Sequence, residues 1–287
     1  MTIEHRLRIG DRDVLLIEGP AGWGECSLLP GYPCEFAAAR AAAEEAATLG
    51  WPPAVRSVVA VNGFVSAATS LADGAESEAW LGFPSVKVKV GRMTPDADVE
   101  RVARVRDLIG PTAGLRVDAN GAWDVETAVA TLARLVPYDL EFAEQPVARL
   151  DDLAAVRRRV NVPIAADECV RGVDDARRLR ITAAADVVVL KVQPVGGVRA
   201  ALAVADEAGV PAVVTSMYET SIGLAAGLAL AAALPTLPFA CGLATLGEIA
   251  GDVTATPLRP HGGVLTIDAA FPPQPSSELL ARYAVAS

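Results

Sequence analysis

The 287-residue chain is 52% hydrophobic, has only 5% aromatic residues and carries a net charge of −10; this suits a closely packed α/β core and argues against a nucleic-acid partner, since no basic patch stands out. No apolar run reaches the ~18 residues that a membrane span needs, and the N-terminus shows no basic-then-apolar leader. The four cysteines (Cys26, Cys34, Cys169 and Cys241) form no Cys-x-x-Cys pair, so reduced thiols in a cytoplasmic protein are expected.

In chain order, residues 6–10 and 13–18 read as a hairpin around Asp11-Arg12, and residues 35–49 as a helix. Between them, residues 21–33 are rich in Gly and Pro yet carry exposed-looking apolar residues, so they read either as a lid or as an ordinary irregular connection. From there, short β-branched runs at 58–61, 85–90, 115–118, 140–143, 163–166, 186–191, 211–215 and 238–242 read as strands. Amphipathic helical stretches at 98–108, 125–135, 150–159, 173–181 and 198–208 lie between them, and the apolar stretch 223–234, stopped by Pro235, reads as a buried helix. Eight strands starting 23 to 30 residues apart predict an α/β fold, a parallel (β/α) barrel, with a doubly wound open sheet as the competitor. The predicted division is residues 1–54 as the first part of a small α+β capping domain, 55–244 as the barrel, and 245–287 as a tail returning to the cap with a strand near 264–268.

Only three of the 25 basic residues are lysines: Lys87, Lys89 and Lys191, each in or at the end of an apolar run. An arginine cannot give up its proton, whereas a desolvated lysine can, so these positions suggest proton-transfer chemistry. Functional residues of such a barrel sit at the C-terminal ends of the strands. Read in order, those ends present Lys87 and Lys89, then Asp118, Glu144, Asp167 and finally Lys191. Three clustered carboxylates repel unless a cation sits among them, and hard oxygen ligands suit Mg²⁺ or Mn²⁺. Lys87 and Lys89 are two apart on one strand and face the same way; a neighbouring ammonium and a metal would depress each pKa towards that of a neutral base. His5 and His261, the only histidines, lie outside the predicted barrel, which disfavours a histidine base or a zinc site. Together these point to a carboxylate substrate whose α-proton a lysine removes.

The Lys-x-Lys at 87–89, Asp118-Ala119-Asn120, Glu144-Gln145-Pro146, Asp167-Glu168 and Lys191 resemble, in order and spacing, the enolase superfamily and within it the muconate-lactonising subgroup. Trp23-Gly24-Glu25, the stretch 215–223 and Ala240-Cys241-Gly242-Leu243-Ala244-Thr245 are similar to the o-succinylbenzoate synthase family, a group of menaquinone-biosynthesis lyases. The resemblance implies that Asp118, Glu144 and Asp167 bind Mg²⁺ (or Mn²⁺). It implies that Lys89 takes the α-proton and returns it to the departing hydroxide. Lys191 would stabilise the enediolate from the other face, and Lys87 would help hold the substrate carboxylate. Asn120 would meet substrate or serve a local turn, and Ser216, Glu219 and Gly242 would shape the pocket.

The implied activity is dehydration of 2-succinyl-6-hydroxy-2,4-cyclohexadiene-1-carboxylate to o-succinylbenzoate. N-Succinylamino acid racemisation, with the same two lysines, is the alternative. Dipeptide epimerisation is disfavoured because Cys241-Gly242-Leu243 offers no carboxylate for a substrate ammonium, and a binding or scaffold role because no ligand position is lost. The expected partner is a small carboxylate, with no nucleic acid and no membrane; the oligomeric state stays open. The chain departs from the superfamily in its shorter length and in Cys169, where Ser is usual; Cys169 reads as a packing residue. Arg92, Arg171 and Arg199 also follow strand ends, where they would meet either a substrate carboxylate or nearby acids.

Overall fold

A computed structural model describes residues 1–69, 71, 80 and 82–285. The chain opens with an antiparallel sheet of β1 (Ile3–Ile9), β2 (Arg12–Gly19) and β3 (Gly22–Cys26), followed by helix α1 (Phe36–Leu49). The hairpin turns at Gly10-Asp11, one residue earlier than the sequence suggests, because Gly10 takes a left-handed conformation (φ 60°). β3 falls where the sequence reads as loop. Its Gly24 serves close packing rather than a turn: a β-carbon there would lie 2.0 Å from the Ala43 carbonyl oxygen of α1. The alanine face of that helix (Ala39, Ala43 and Ala47 among it) is buried against Leu15, Ile17 and Cys26 of the sheet.

The main sheet has seven parallel strands in sequential order, running from β5 (Gly63–Val65) through β6 (Ser85–Lys89), β7 (Gly114–Asp118), β8 (Phe142–Glu144), β9 (Ile164–Ala166) and β10 (Val187–Leu190) to β11 (Ala212–Val214). The sheet curls until its edges meet across residues 240–242. Cys241 N donates to Ala60 O (2.7 Å) and Gly242 N to Val214 O (2.8 Å), while Asn62 N donates to Cys241 O (2.9 Å). The predicted eighth strand, 238–242, is thus reduced to single parallel bridges from Cys241 to Val61 and from Gly242 to Thr215. The first predicted run, 58–61, is displaced as well. Its β4 (Val58–Ala60) pairs antiparallel with β12 (Val264–Thr266), and the chain joins the main sheet only at Gly63. An apolar run marks burial but not which partner buries it.

Outside the sheet run α2 (Pro95–Ile109), α3 (Val125–Leu135), α4 (Leu150–Arg157), α5 (Val173–Thr182), the short α6 (Val192–Val195), α7 (Val198–Ala208) and α8 (Ser221–Ala233). A last helix, α9 (Ser277–Tyr283), lies against β1. Their starts are written in the sequence: Thr94 and Asp124 accept the backbone N–H groups of Ala97 and Thr127, and Pro95 opens α2. The predicted apolar helix becomes α8, buried along nearly its whole length. No helix among the described residues is long and apolar enough to cross a membrane.

Strand alternation sorts the side chains. Val86, Val88, Leu115, Val117, Ile164, Val188 and Leu190 join the large core cluster shared with the helices. The other face points inward, where Phe142, Ala165, Val187, Val189 and Val213 pack with Phe239 as an apolar floor. Arg116 lies in this floor, 1% exposed, with its guanidinium 4.6 Å from the Phe142 ring centre. It donates to Glu141 Oε2 (2.7 Å), Asn62 Oδ1 (3.2 Å) and Ala240 O (2.7 Å). One side chain thereby ties β7 to both sides of the closure, so Arg116→Ala is expected to cost about 3 kcal/mol by taking the donor from Asn62 Oδ1 and Ala240 O and the counter-charge from Glu141, and by leaving a void. Urea denaturation checks this; an unchanged midpoint would show that the closure does not depend on Arg116.

Candidate active site

Two residues further along each inward face, the floor gives way to charge. Lys87 and Lys89 come from β6, Asp118 from β7, Glu144 from β8, and Asp167 and Lys191 follow β9 and β10 directly. Pairing in register sets Lys89 opposite Asp118, and Asp118 opposite Glu144. Lys87 Nζ lies 3.0 Å from Glu144 Oε1 and 3.2 Å from Asp118 Oδ2; Lys89 Nζ lies 2.5 Å from Asp118 Oδ2. Lys191 pairs with Asp167 Oδ2. All three carboxylates are at most 2% exposed.

Left-handed residues turn the chain at these strand ends. Asn120 (φ 47°) donates its backbone N–H to Asp118 Oδ1 (3.0 Å), and its side chain accepts from Lys89 Nζ (2.6 Å) and donates to Glu168 Oε1 (2.8 Å). Gln145 (φ 40°) accepts the Asp167 backbone N–H (2.7 Å) and donates to Val147 O (2.7 Å), which fixes Asp167.

Burial and charge pull these groups in opposite directions. Burial pushes Glu144 up to about 7, reinforced by the charge of Asp118 and opposed by Lys87. Burial likewise raises Asp167, against the pull of Lys191. For Asp118, burial is outweighed by Lys89 and Lys87, and its carboxyl is held well below the usual range. Desolvation alone would lower Lys87 and Lys191, but the neighbouring carboxylates hold both ammonium groups above the ordinary lysine range. At Lys87, Glu144 and Asp118 outweigh both burial and the Lys191 ammonium, against the lowering expected from a neighbouring ammonium alone. Among the described residues no three acidic, histidine or cysteine side chains close on a common point; the carboxylates are spaced by the lysines that pair with them.

The cluster lines a chamber of about 60 Å³. Of the pocket residues suggested by the sequence, Lys87, Asn120, Ser216 and Gly242 line it, with Ser216 Oγ 2.6 Å from Thr245 Oγ1. Glu219 does not. It lies behind the loop after β11, where its carboxylate accepts the Met217 backbone N–H (2.6 Å) and Gln193 Nε2 (3.2 Å). The reason is local: Tyr218 takes a left-handed conformation (φ 57°), which breaks the strand alternation before residue 219.

Sequence reasoning missed other lining residues. Phe64 stands on β5 and would have been found had the first barrel strand been placed there. Tyr32 and Leu29 come from the Gly- and Pro-rich loop. Tyr32 donates its hydroxyl to Asp167 Oδ1 (2.9 Å), and Lys191 Nζ lies 4.7 Å from its ring centre. The loop with two readings thus covers the chamber, and an aromatic ring in a Gly/Pro-rich segment was the available signal.

Behind the site, Glu25 of β3 joins the cap to the barrel. Its carboxylate accepts from Ser27 Oγ (2.6 Å), Thr220 Oγ1 (2.5 Å) and the backbone N–H groups of Thr220 (3.2 Å) and Gly223 (2.9 Å). A second buried carboxyl, Glu219, is pushed to about 7 by burial and by the charge of Glu25.

Two family models match the chain: Enolase N-terminal domain-like over residues 1–47 and Enolase C-terminal domain-like over residues 70–273. The chain is similar to the o-succinylbenzoate synthase of Thermobifida fusca, 54% identical over 259 residues, covering 89% of this chain and 81% of that protein. It is also similar to the o-succinylbenzoate synthase of Mycobacterium tuberculosis, 45% identical over 264 residues, covering 90% and 79%. Among solved structures it resembles muconate cycloisomerase from Pseudomonas fluorescens, with a TM-score of 0.87, 23% identity and coverage of 100% of this chain and 98% of that one. It likewise resembles 2-chloromuconate cycloisomerase from Rhodococcus opacus, with a TM-score of 0.86, 22% identity and coverage of 99% and 98%. At such identities the structural likeness speaks for the fold.

The buried carboxyl gives a pH-dependent prediction. Glu219 in the folded chain keeps its proton to a higher pH than its ordinary value of 4.5. Its contribution to stability is therefore present below about pH 4.5 and is lost as the pH rises towards 7. Glu219→Gln, which cannot ionise, is expected to flatten the fall in melting temperature between about pH 5 and about pH 8. Parallel falls in the two proteins would assign the pH dependence to other groups.

Proposed function

The chain belongs to the enolase superfamily and is a lyase, and from that premise we propose that it dehydrates 2-succinyl-6-hydroxy-2,4-cyclohexadiene-1-carboxylate to o-succinylbenzoate. The observation that carries this reading is the cluster itself, in which Lys89 and Lys191 flank three buried carboxylates. On this reading residues 1–54 and 245–287 form the cap and residues 55–244 the catalytic barrel.

The donor set fits a divalent metal, Mg²⁺ or Mn²⁺. Asp118, Glu144 and Asp167 are buried hard oxygen donors at the ends of three successive strands. Bound by these three side chains, such a cation supplies Lewis acidity that makes the α-proton of the substrate carboxylate removable. Lys87 pairs with that carboxylate. Lys89 Nζ takes the proton from the α-carbon and, as an ammonium, gives it to the departing hydroxyl, so both transfers use one face of the ring. Lys191 stays protonated, as its carboxylate neighbours dictate, and balances negative charge from the other face. Before it acts as a base, Lys89 must leave Asp118 and Asn120, to which it now donates. Asn120 supplies a hydrogen-bonding amide beside it. Ser216 and the backbone at Gly242 shape the wall opposite, and Tyr32 and Leu29 keep water out from above.

The same lysines on opposite sides favour a second reading, racemisation of N-succinylamino acids, in which each lysine serves one face of the α-carbon. Glu219, removed from the pocket, has no part in either.

The purified protein with Mg²⁺ is expected to form o-succinylbenzoate from the cyclohexadiene carboxylate and to lose that activity in EDTA. Lys89→Ala and Lys191→Ala are each expected to lower kcat by about 10²-fold or more. No conversion by folded, metal-loaded protein would sink the dehydratase reading. Turnover of N-succinylamino acids alone would replace it with the racemase.

A further inference from the structure

The chamber holds about 60 Å³, far less than the ~300 Å³ at the lower end of ligand sites. Only the reacting end of a substrate fits there. Outside it lies an open cleft of about 840 Å³, and Lys89, Asn120, Tyr32 and Tyr218 line both spaces. The remainder of a substrate therefore extends into this cleft.

Its wall carries four arginines, Arg92, Arg149, Arg171 and Arg178, although the chain as a whole has a net charge of −10. Two of them are engaged: Arg178 donates to Asp151 Oδ2 (2.6 Å), and Arg149 faces Asp152 at 3.9 Å. The guanidinium groups of Arg92 and Arg171 have no hydrogen-bond or ion-pair partner among the described residues. Two acids of the cleft wall have other partners: Glu168 Oε1 accepts from Asn120, and Asp175 accepts from the Arg171 backbone N–H (3.0 Å). Arg199, the third arginine past a strand end, instead donates to Gly50 O (2.8 Å) and faces Glu45 at 3.5 Å.

Arg92 lies just beyond β6, the strand of Lys87 and Lys89, and Arg171 just beyond β9, four residues after Asp167. Both therefore stand on the approach to the cluster. Guanidinium is a planar fork that matches a carboxylate with two parallel hydrogen bonds. We propose that Arg92 and Arg171 anchor the distal carboxylate of a dicarboxylate substrate in the outer cleft while its reacting carboxylate occupies the chamber. This rests on the dehydratase reading and names what selects its substrate: the carboxylate at the far end of the succinyl arm.

The test compares two ligands by calorimetry in the presence of Mg²⁺: o-succinylbenzoate, and 2-butyrylbenzoate, whose arm ends in a methyl group. Wild-type protein is expected to bind the dicarboxylate more tightly, and the preference is expected to shrink as salt is added. R92A/R171A is expected to raise Kd for o-succinylbenzoate about ten-fold and to leave Kd for 2-butyrylbenzoate in place. R92K/R171K keeps the charge but not the fork and is expected to fall between. Equal weakening of both ligands, or of neither, overturns the proposal, as does a wild-type protein that binds the two equally. Because binding is read without turnover, a wild-type protein that prefers the dicarboxylate yet makes no o-succinylbenzoate overturns the dehydratase reading and leaves the arginine anchor standing.

Discussion

Three ammonium groups set against three carboxylates, almost without water, are the constraint on which the rest of the molecule depends. Neither set is tolerable alone at such burial, because an unpaired buried charge costs several kcal/mol. Holding them together takes five consecutive parallel strands in fixed register, from β6 to β10, with a helix packed outside at each step. The alternation along those strands does the sorting: valines and leucines go outwards to the helices, Phe142, Val187 and Val189 inwards to the floor, and charges to the upper rim. A slip of one residue in β6 would exchange each of its lysines for a valine.

The floor keeps this charge layer dry from below and the cap covers it from above. Arg116 fills the part of the floor that apolar groups leave open and is itself neutralised by Glu141. On the other side, Tyr32 reaches from the cap to Asp167, while Arg12 of β2 donates to the carbonyls of Met217 and Tyr218. Glu25 accepts the N–H groups of Thr220, which caps α8, and of Gly223 in its first turn, where a carboxylate also meets the positive end of the helix dipole. The loop after β11, which carries Ser216 and Tyr218, is thus held from the cap rather than by the barrel alone.

Much of this was readable from the residues. Lysines confined to apolar runs, and carboxylates at successive strand ends, give both the strand order and the six groups that meet at the rim, since alternation and spacing are local properties. What stayed illegible depends on partners distant in sequence. Residues 58–61 look like a barrel strand until β12 takes them. Residues 238–242 close the barrel through two bridges, too few to tell from a loop. Glu219 sits three residues beyond Ser216 of the pocket, and only the left-handed Tyr218 reveals that it points elsewhere. Gly24, in a segment that reads as a lid or an irregular connection, marks where α1 presses on the sheet.

The ends of the chain meet as well. Leu7 of β1 bridges Ala284, and Val285 donates its N–H to Arg6 O at 3.0 Å. That edge of β1 is therefore paired by residues synthesised after the barrel between them. Until those residues are made that edge stays unpaired, and a pairing of such long sequence separation makes completion of the cap a late step in folding. Backbone groups on one short strand thus make completion of the cap wait on residues synthesised after the barrel.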